Sequence, residues 1–531
     1  MSYNVGSLFA GVGGICLGFK RADERFQLSF ANEMDKDACK TYSTNFNHNL
    51  IEGDIEKILD PNILFRERDF LQTRFTELSN IDILKSSYDE QFIKDCMKSL
   101  NDPFLVSVLM KGNFDLTDSL KKKASKFGYD EEAIKEFIEY QLVKINLENY
   151  SDEKLNPKFE ELKIKNGEIK AERIAVLTAG FPCQAFSIAG ERKGFSDHRG
   201  ELFYSVINLV QQLEEVGHGK PRVLFLENVK NLVSHNDGNT FKVIKSELEN
   251  LGYTLKYRVL NTYKYTTLPQ NRERIFIVCF LNKADAEAFG SFEKIPELKR
   301  TREELKQSLK EILDYSITKE TNPELYYTRG KYPQYFMTEE EFLKSGKNEW
   351  INLDKDINEM YEVYQVRRGM YVRKNQSGVC PTLTANMGTG GHNVPLIKTH
   401  DGIRKLSPKD CFNLQGFRVG TEYFFPDKLN LSALYKQSGN AVSVDVIELI
   451  AKRILKAFLK VDNEVKVDKT TGLKIYKTSI QNVVTEIDDK ESDLLLKSLF
   501  EIKKLLSDDL NLINFKEELR KQIMIKLSET L

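Results

Sequence analysis

V-G-S-L-F-A-G-V-G-G-I-C-L-G-F-K-R-A, residues 5–22, reads as a strand, a glycine-rich turn and a helix in immediate succession. Val5–Phe9 is the strand, Phe9–Gly14 (F-A-G-V-G-G) the turn, and Ile15–Ala22 carries helical character. The rhythm continues outward. Leu28–Ala31 is a second strand ending at Asn32-Glu33, a helix follows over Asp35–Asn45, and Leu50-Ile51 leads into Gly53-Asp54-Ile55. A βαβαβ order implies a parallel sheet that receives ligands at the carboxyl ends of its strands. The rhythm resumes at Ile174–Ala179, Val223–Leu226 and Ile275–Leu281, each strand ending beside polar or glycine-rich residues. The expected fold is α/β: a doubly wound, mostly parallel sheet.

The chain has 531 residues, 41% hydrophobic and 30% charged, which is the balance of a soluble globular protein. Its longest apolar run, Ile275–Leu281, is far short of the ~20 residues a membrane span needs. Met1–Ala22 lacks a positive leading region and its glycines are spaced as a turn motif, so it does not read as a signal peptide. A net charge of −1 neither supports nor excludes a nucleic-acid partner, because binding needs a local basic surface. The seven cysteines are scattered without CxxC spacing and there are six histidines. A disulfide framework and a structural metal site are therefore not expected, and a reduced cytoplasmic setting is.

The rhythm breaks over residues 56–172, which hold 19 basic and 24 acidic residues with helical patterning at Leu116–Lys126 and Asp130–Leu147. This stretch reads as a helical insertion. Lys283–Glu320 is helical in pattern, and Tyr326–His400, rich in tyrosine, glycine, threonine and basic residues, resembles a small irregular β domain. A strand-to-helix unit returns at Gln437–Phe458. Beyond Lys460 come a hairpin-like segment and Ser492–Leu531, with leucines at helical spacing. The expected domains are 1–55 with 173–281 as the core, 56–172 as the insertion, 282–403 as the smaller domain, 404–460 returning to the core, and 461–531 as a helical extension.

Gly11, Gly13 and Gly14, after a strand and before a helix, allow close backbone approach to a ligand with the helix amino end facing negative charge. A tight turn alone would also need glycine. Glu33 strengthens the ligand reading, because an acid ending the next strand of such a sheet reaches the ribose hydroxyls of an adenosine. Asp54, ending the third strand, is placed for the adenine amino group. Three successive strand ends thus supply one nucleoside pocket. The fourth strand ends in A-G-F-P-C-Q (Ala179–Gln184), where Gly180 and Pro182 turn Cys183 toward the cleft. An unperturbed thiol has a pKa of ~8.5, so nearby positive charge should aid its ionisation. The fifth strand ends in Glu227-Asn228-Val229, an acid in the same cleft. A cysteine nucleophile beside a carboxylic acid is what addition to an electron-poor ring requires.

F-A-G-V-G-G, N-E, G-D-I, G-F-P-C-Q, E-N-V, Q-N-R-E-R and Q-S-G-N-A-V occur in this order. Together they resemble the motif set of the DNA cytosine-5 methyltransferases, of the bacterial restriction–modification type, over residues 1–55, 173–281 and 404–458. The resemblance implies S-adenosylmethionine over Phe9, Gly11, Val12, Gly13 and Gly14, with Glu33 and Met34 at its ribose and Asp54 and Ile55 at its adenine. Pro182, Leu202, Asn440, Ala441 and Val442 would close that pocket. It also implies that Cys183 attacks carbon 6 of a flipped cytosine, that Glu227 holds or protonates ring nitrogen 3, and that Arg272 and Arg274 contact the base carbonyl and phosphate. Gln184–Arg199 reads as a loop closing over the site. Target recognition is expected in 282–403. Six basic residues stand there against one acid between Tyr364 and Arg404, and the glycine-rich Thr382–Asn393 is suited to entering a groove. Gln184, Arg367, Arg368, Arg373, Lys374 and Arg404 are the expected contacts to double-stranded DNA. A cognate restriction endonuclease would be a genetic partner only, and the chain is expected to be a monomer.

Two features depart from the family pattern. Ser7 stands where many relatives have an acid, and the 56–172 insertion occupies what is usually a short link. Two other readings compete. An RNA cytosine methyltransferase would have a reduced recognition region and a second proline where this chain has Phe181. A silent DNA-binding regulator would not need Cys183, Glu227, Arg272 and Arg274 together.

Overall fold

Continuous apolar runs such as V-L-T-A and V-L-F-L are what strands buried on both faces of a parallel sheet require. In the computed structural model they form its centre. The residues described are 2–79, 89, 92–94, 105–110, 116, 118–181, 198–346, 348, 350–367, 371–375, 378–388 and 394–467. Seven strands make the main sheet: β1 (Tyr3–Leu8), β2 (Phe26–Glu33), β3 (Asn49–Glu52), β4 (Val176–Ala179), β5 (Val223–Val229), β6 (Thr254–Asn261) and β7 (Glu273–Phe280). Their order is β3-β2-β1-β4-β5-β7-β6. The pairs from β3 to β5 are parallel, while β7 runs antiparallel to both β5 and β6. Strand order reverses at β1 and β4, so the ligand crevice is expected outside their carboxyl ends.

Local chemistry fixes the helices that flank this crevice. Helix α1 (Gly14–Ala22) follows Gly13, whose φ of 81° is left-handed. Asp35 caps α2 (Lys36–Asn45) by accepting from the Asp37 and Ala38 amides, and Asp54 caps α3 (Ile55–Leu59) through the Glu56 amide.

The 56–172 stretch is helical in its described parts, including α4 (Ile63–Ser79) and the helices Asp118–Phe127, Glu131–Leu147 and Asp152–Ile169. Its two ends, however, complete the cover of the main sheet. Ile58, Leu59 and Leu64 at one end and Leu155, Leu162 and Ile169 at the other join the core formed by β4 and β5. The middle packs in its own smaller clusters, such as Leu120, Ile134, Phe137 and Ile138.

Between β7 and residue 406 lies a second, antiparallel sheet of β8 (Tyr326–Tyr327), β9 (Tyr364–Arg367), β10 (Tyr371–Lys374), β11 (Leu396–Thr399) and β12 (Gly402–Lys405), in the order β10-β9-β11-β12-β8. Its core is Tyr327, Phe336, Ile351, Tyr364, Leu396 and Ile403.

Two expectations are corrected. The return at Gln437–Phe458 is not a strand and a helix but two helices, Leu431–Asn440 and Val444–Val467, joined by a short turn. The first helix is started by Asn430, whose side chain accepts from the Ala433 amide, and Gly18 of α1 packs so close to the second that an added Cβ would stand 2.5 Å from Ile447 Cβ. The second correction is β6, an edge strand absent from the sequence reading. The chain divides into units Met1–Phe458 and Leu459–Leu531, and most of the second, including the segment read as helical at Ser492–Leu531, lies outside the described residues. No helix among the described residues is long and apolar enough to cross a membrane.

Candidate active site

A cavity of about 360 Å³ opens at the carboxyl ends of β1 to β5 and is walled on its far side by residues 436–442. That volume is within the range of small-molecule sites. Its floor is the turn after β1, where Phe9 (φ 54°), Gly11 (φ 55°) and Gly13 (φ 81°) are all left-handed. Gly11 is open to the cavity, since an added Cβ would meet nothing within 4 Å. Gly13 serves packing instead: its Cβ would fall 2.2 Å from the Phe46 ring.

Glu33 ends β2 with its carboxylate held by three backbone N–H groups. Oε2 accepts from Gly11 at 2.7 Å, and Oε1 accepts from Met34 and Asp35 at 2.8 Å each. Burial raises its pKa despite these bonds. Because each carboxylate oxygen has two acceptor positions, Oε2 retains one toward the cavity. Asn32 beside it is buried and donates to Ile51 O (2.9 Å) and Gly53 O (3.0 Å), which fixes the end of β3. Asp54 spends Oδ1 on the cap of α3. Apolar contact comes from Phe9, Val12, Met34, Ile55, Phe181 and Leu202, with Met34 38% exposed at the cavity edge.

Glu227, two residues before the end of β5, lines the same cavity. It is buried, and desolvation raises its carboxyl pKa, with Arg274 and Arg272 opposing the shift. Arg274 Nε stands 3.2 Å from Glu227 Oε1. A Cβ at Gly180 would lie 3.8 Å from Glu227 Oε2, and the Asn228 amide donates to Phe181 O at 3.4 Å. The chain thus leaves β4 alongside Glu227. Pro182, Cys183 and Gln184 lie outside the described residues, as does 185–197 of the expected closing loop. The described cysteines, Cys16, Cys39, Cys279, Cys380 and Cys411, are all buried and free. Burial raises each thiol, Cys39 to about 12, so none is poised as a thiolate.

The cavity gathers Phe9, Gly11, Val12, Gly14, Glu33, Met34, Asp54, Ile55, Leu202, Glu227, Arg272, Arg274, Asn440, Ala441 and Val442. Sequence reasoning passed over Asn32, Asn228, and the Lys436–Asp35 ion pair at 2.7 Å, which also border it. The asparagines sit inside the quoted N-E and E-N-V pairs, where the neighbouring acid drew the attention. Ser7 is a core hydroxyl that accepts from Thr178 Oγ1 at 3.0 Å and is not among the lining residues.

Four residues expected at the base or at DNA have partners within the chain. Arg272 is 2% exposed, and its guanidinium donates to the carbonyls of Leu383 (2.9 Å), Gly439 (3.1 Å) and Ala441. Both Nη2 donors and one on Nη1 go to backbone, Nε has no hydrogen-bond partner, and Arg272 stays among the residues lining the cavity. Arg404 is fully buried, paired with Asp410 at 2.8 Å and donating to Asp314 O at 2.6 Å, so it faces no DNA. Lys374 is bound to Glu359 at 2.6 Å, with Glu362 at 3.8 Å. Arg373, on the outward face of β10 with the 53%-exposed Tyr371, is held by Gln365 at 2.9 Å. Arg368 lies outside the described residues, as does the side chain of Arg367.

A family model described as C-5 cytosine-specific DNA methylase matches residues 3–75 and 124–456. The unmatched gap falls within the helical insertion. Type II methyltransferase M.Bsp6I of Bacillus sp. (strain RFL6) is 46% identical over 285 residues, covering 54% of this chain and 79% of that protein. Type II methyltransferase M.HhaI of Haemophilus parahaemolyticus is 34% identical over 292 residues, covering 52% and 75%.

Proposed function

The chain belongs to the C-5 cytosine-specific DNA methylase family, and from that premise we propose how its residues divide the methylation of carbon 5 of cytosine in duplex DNA. The observation that carries the reading is Glu227: a buried acid with a raised pKa, 3.2 Å from Arg274, on the wall of the cavity that Glu33 and the Gly11 turn also line.

S-adenosylmethionine, when bound, supplies an electrophilic methyl group. The residues fit it. Glu33 keeps an acceptor position for a ribose hydroxyl, Asp54 keeps Oδ2 for an adenine amino group, and Gly11 leaves the floor open. Phe9, Met34, Ile55 and Leu202 offer apolar walls to a nucleoside. Asn440, Ala441 and Val442 close the opposite side.

Cys183, four residues beyond β4 in the sequence, adds as thiolate to carbon 6 of the base. The ring electron pair moves toward carbon 5, and Glu227 donates its proton at nitrogen 3, where charge would otherwise build. The raised pKa favours the protonated form that this donation needs. Arg274 beside it would meet the base carbonyl. Once carbon 5 carries the methyl group, loss of its proton to water, expulsion of the Cys183 thiolate and return of the nitrogen-3 proton to Glu227 restore the ring and the enzyme. The base must leave the helix stack to reach this cavity, at a cost of a few kcal/mol. Recognition of a short sequence falls to the smaller sheet and the outward face of β10, around Arg373. Protection of host DNA against a cognate endonuclease, in a cytoplasmic setting and as a monomer, completes the reading.

The test is transfer of labelled methyl from S-adenosylmethionine to unmethylated plasmid DNA and, separately, to transfer RNA, followed by digestion to nucleosides. Label is expected in 5-methylcytosine from DNA. Label from RNA alone would favour the RNA enzyme, and label from neither would favour the silent regulator.

A further inference from the structure

Arg272 stands where three parts of the chain meet. Its own segment leads from β6 to β7; Leu383 belongs to the stretch 378–388 within the smaller domain; Gly439 and Ala441 belong to the wall of the cavity. One buried guanidinium donates to carbonyls of the last two at once. Burial and the neighbouring Arg274 cation both work against its charge, and the Glu227 carboxylate opposes them.

The same joint is stitched at its edge. Cys380 N donates to Pro269 O at 2.7 Å, Asn271 N to Cys380 O at 2.8 Å, and Thr382 Oγ1 to Asn271 O at 2.6 Å. It has no slack. An added Cβ on Gly439 would lie 2.1 Å from the Thr384 carbonyl carbon and 2.3 Å from Ala385 N, so these two backbones are already in contact. Neither can shift without displacing the shared donor or the other backbone.

We infer that Arg272 is a positioning residue that couples the recognition domain energetically to the cofactor cavity. DNA that displaces the 380–385 segment thereby displaces the 439–441 wall, and a cofactor seated against that wall acts on the segment in return. The guanidinium fork is required, because a lysine ammonium lacks the spread of donors to serve carbonyls on two chain segments. Thermodynamic linkage makes the effect reciprocal: whatever factor DNA adds to cofactor affinity, the cofactor adds to DNA affinity. The inference rests on the proposed function and deepens it.

The experiment measures calorimetric binding of S-adenosylhomocysteine, a non-transferring probe, with and without a duplex carrying the methylated motif that bisulfite sequencing identifies. For the unaltered chain, DNA is expected to tighten binding on the order of tenfold. Arg272→Lys should bring the ratio close to one while the chain stays folded by circular dichroism, the ratio being taken against the variant's own affinity for the probe alone. Thr382→Val, which removes only the edge hydrogen bond, should give an intermediate ratio. A ratio near one in the unaltered chain, or an undiminished ratio in folded Arg272→Lys, would overturn the inference. If Arg272→Lys does not fold, Thr382→Val decides, and an undiminished ratio there overturns it. Failure of the unaltered chain to bind probe or DNA at all, seen before any substitution is made, would instead remove the functional reading and this inference with it.

Discussion

Replacing Arg404 with methionine separates a structural arginine from a DNA-contacting one. Arg404 and Asp410 have side chains 0% exposed and pair at 2.8 Å. Arg404 also donates to Lys405 O at 3.0 Å and Asp314 O at 2.6 Å. Asp410 Oδ2 additionally accepts from Ser407 N and Oγ, and Oδ1 from Asp314 N. Removing one member of a buried pair leaves the other charged in a dry interior, a loss of about 3–5 kcal/mol. The two carbonyls that lose a donor place Arg404→Met toward the upper part of that range. Adding Asp410→Asn removes the stranded charge but keeps an acceptor for the Ser407 cap, so the double variant should recover part of the loss. Urea unfolding followed by circular dichroism reads the stability. DNA affinity against salt, measured where both variants are folded, reads the alternative. An unchanged unfolding midpoint, with the logarithmic salt slope reduced by about one, would make Arg404 a phosphate contact and refute the assignment.

Other expectations concern the cavity and the outer sheet. Glu227→Gln should lower turnover by about 10²- to 10⁴-fold with DNA affinity retained, and unchanged turnover would sink the acid's assigned role. Because burial raises the Glu227 pKa, its protonated form is lost only as pH rises through that raised value, so kcat/KM should fall on the alkaline side. Arg274→Ala, which removes the opposing cation, should move that limb to higher pH; movement downward contradicts the electrostatic account. Glu33→Ala should weaken S-adenosylhomocysteine binding by roughly ten- to a hundredfold, since it strands the Gly11, Met34 and Asp35 amides and removes a ribose acceptor. Equal affinity by calorimetry would count against the cofactor placement. Arg373→Ala should reduce duplex binding more than Lys374→Ala, because Lys374 is already neutralised by Glu359; the reverse order in a filter-binding titration would redirect attention to the opposite face of β10.

Local signals carried the parallel half of the fold. The turn after β1 and the fully buried V-L-T-A each dictate their element within a few residues, and they meet at one cavity because parallel strands end on one side. What escaped the sequence depends on distant partners. T-L-K-Y-R-V-L-N of β6 mixes charged and apolar residues because it is an edge strand, mostly half-buried. Gln437–Phe458 looked like strand and helix, yet its start is the end of a helix capped by Asn430. Arg404 counted toward a basic patch, although the S-P-K-D capping box at Ser407–Asp410 supplies its buried acid. Arg272 stood within a motif whose resemblance pointed to the base, whereas its acceptors lie 111 and 167 residues away. Charge counts along a chain register neither burial nor such separations.

Bisulfite sequencing of genomic DNA from a bacterial host expressing this chain, beside one expressing Cys183→Ser, tests the central claim most directly. Protected cytosines confined to one short motif, and absent with the variant, are the predicted result. Protection no greater than in the variant, with both proteins soluble and equally abundant, would contradict DNA cytosine-5 methylation through Cys183.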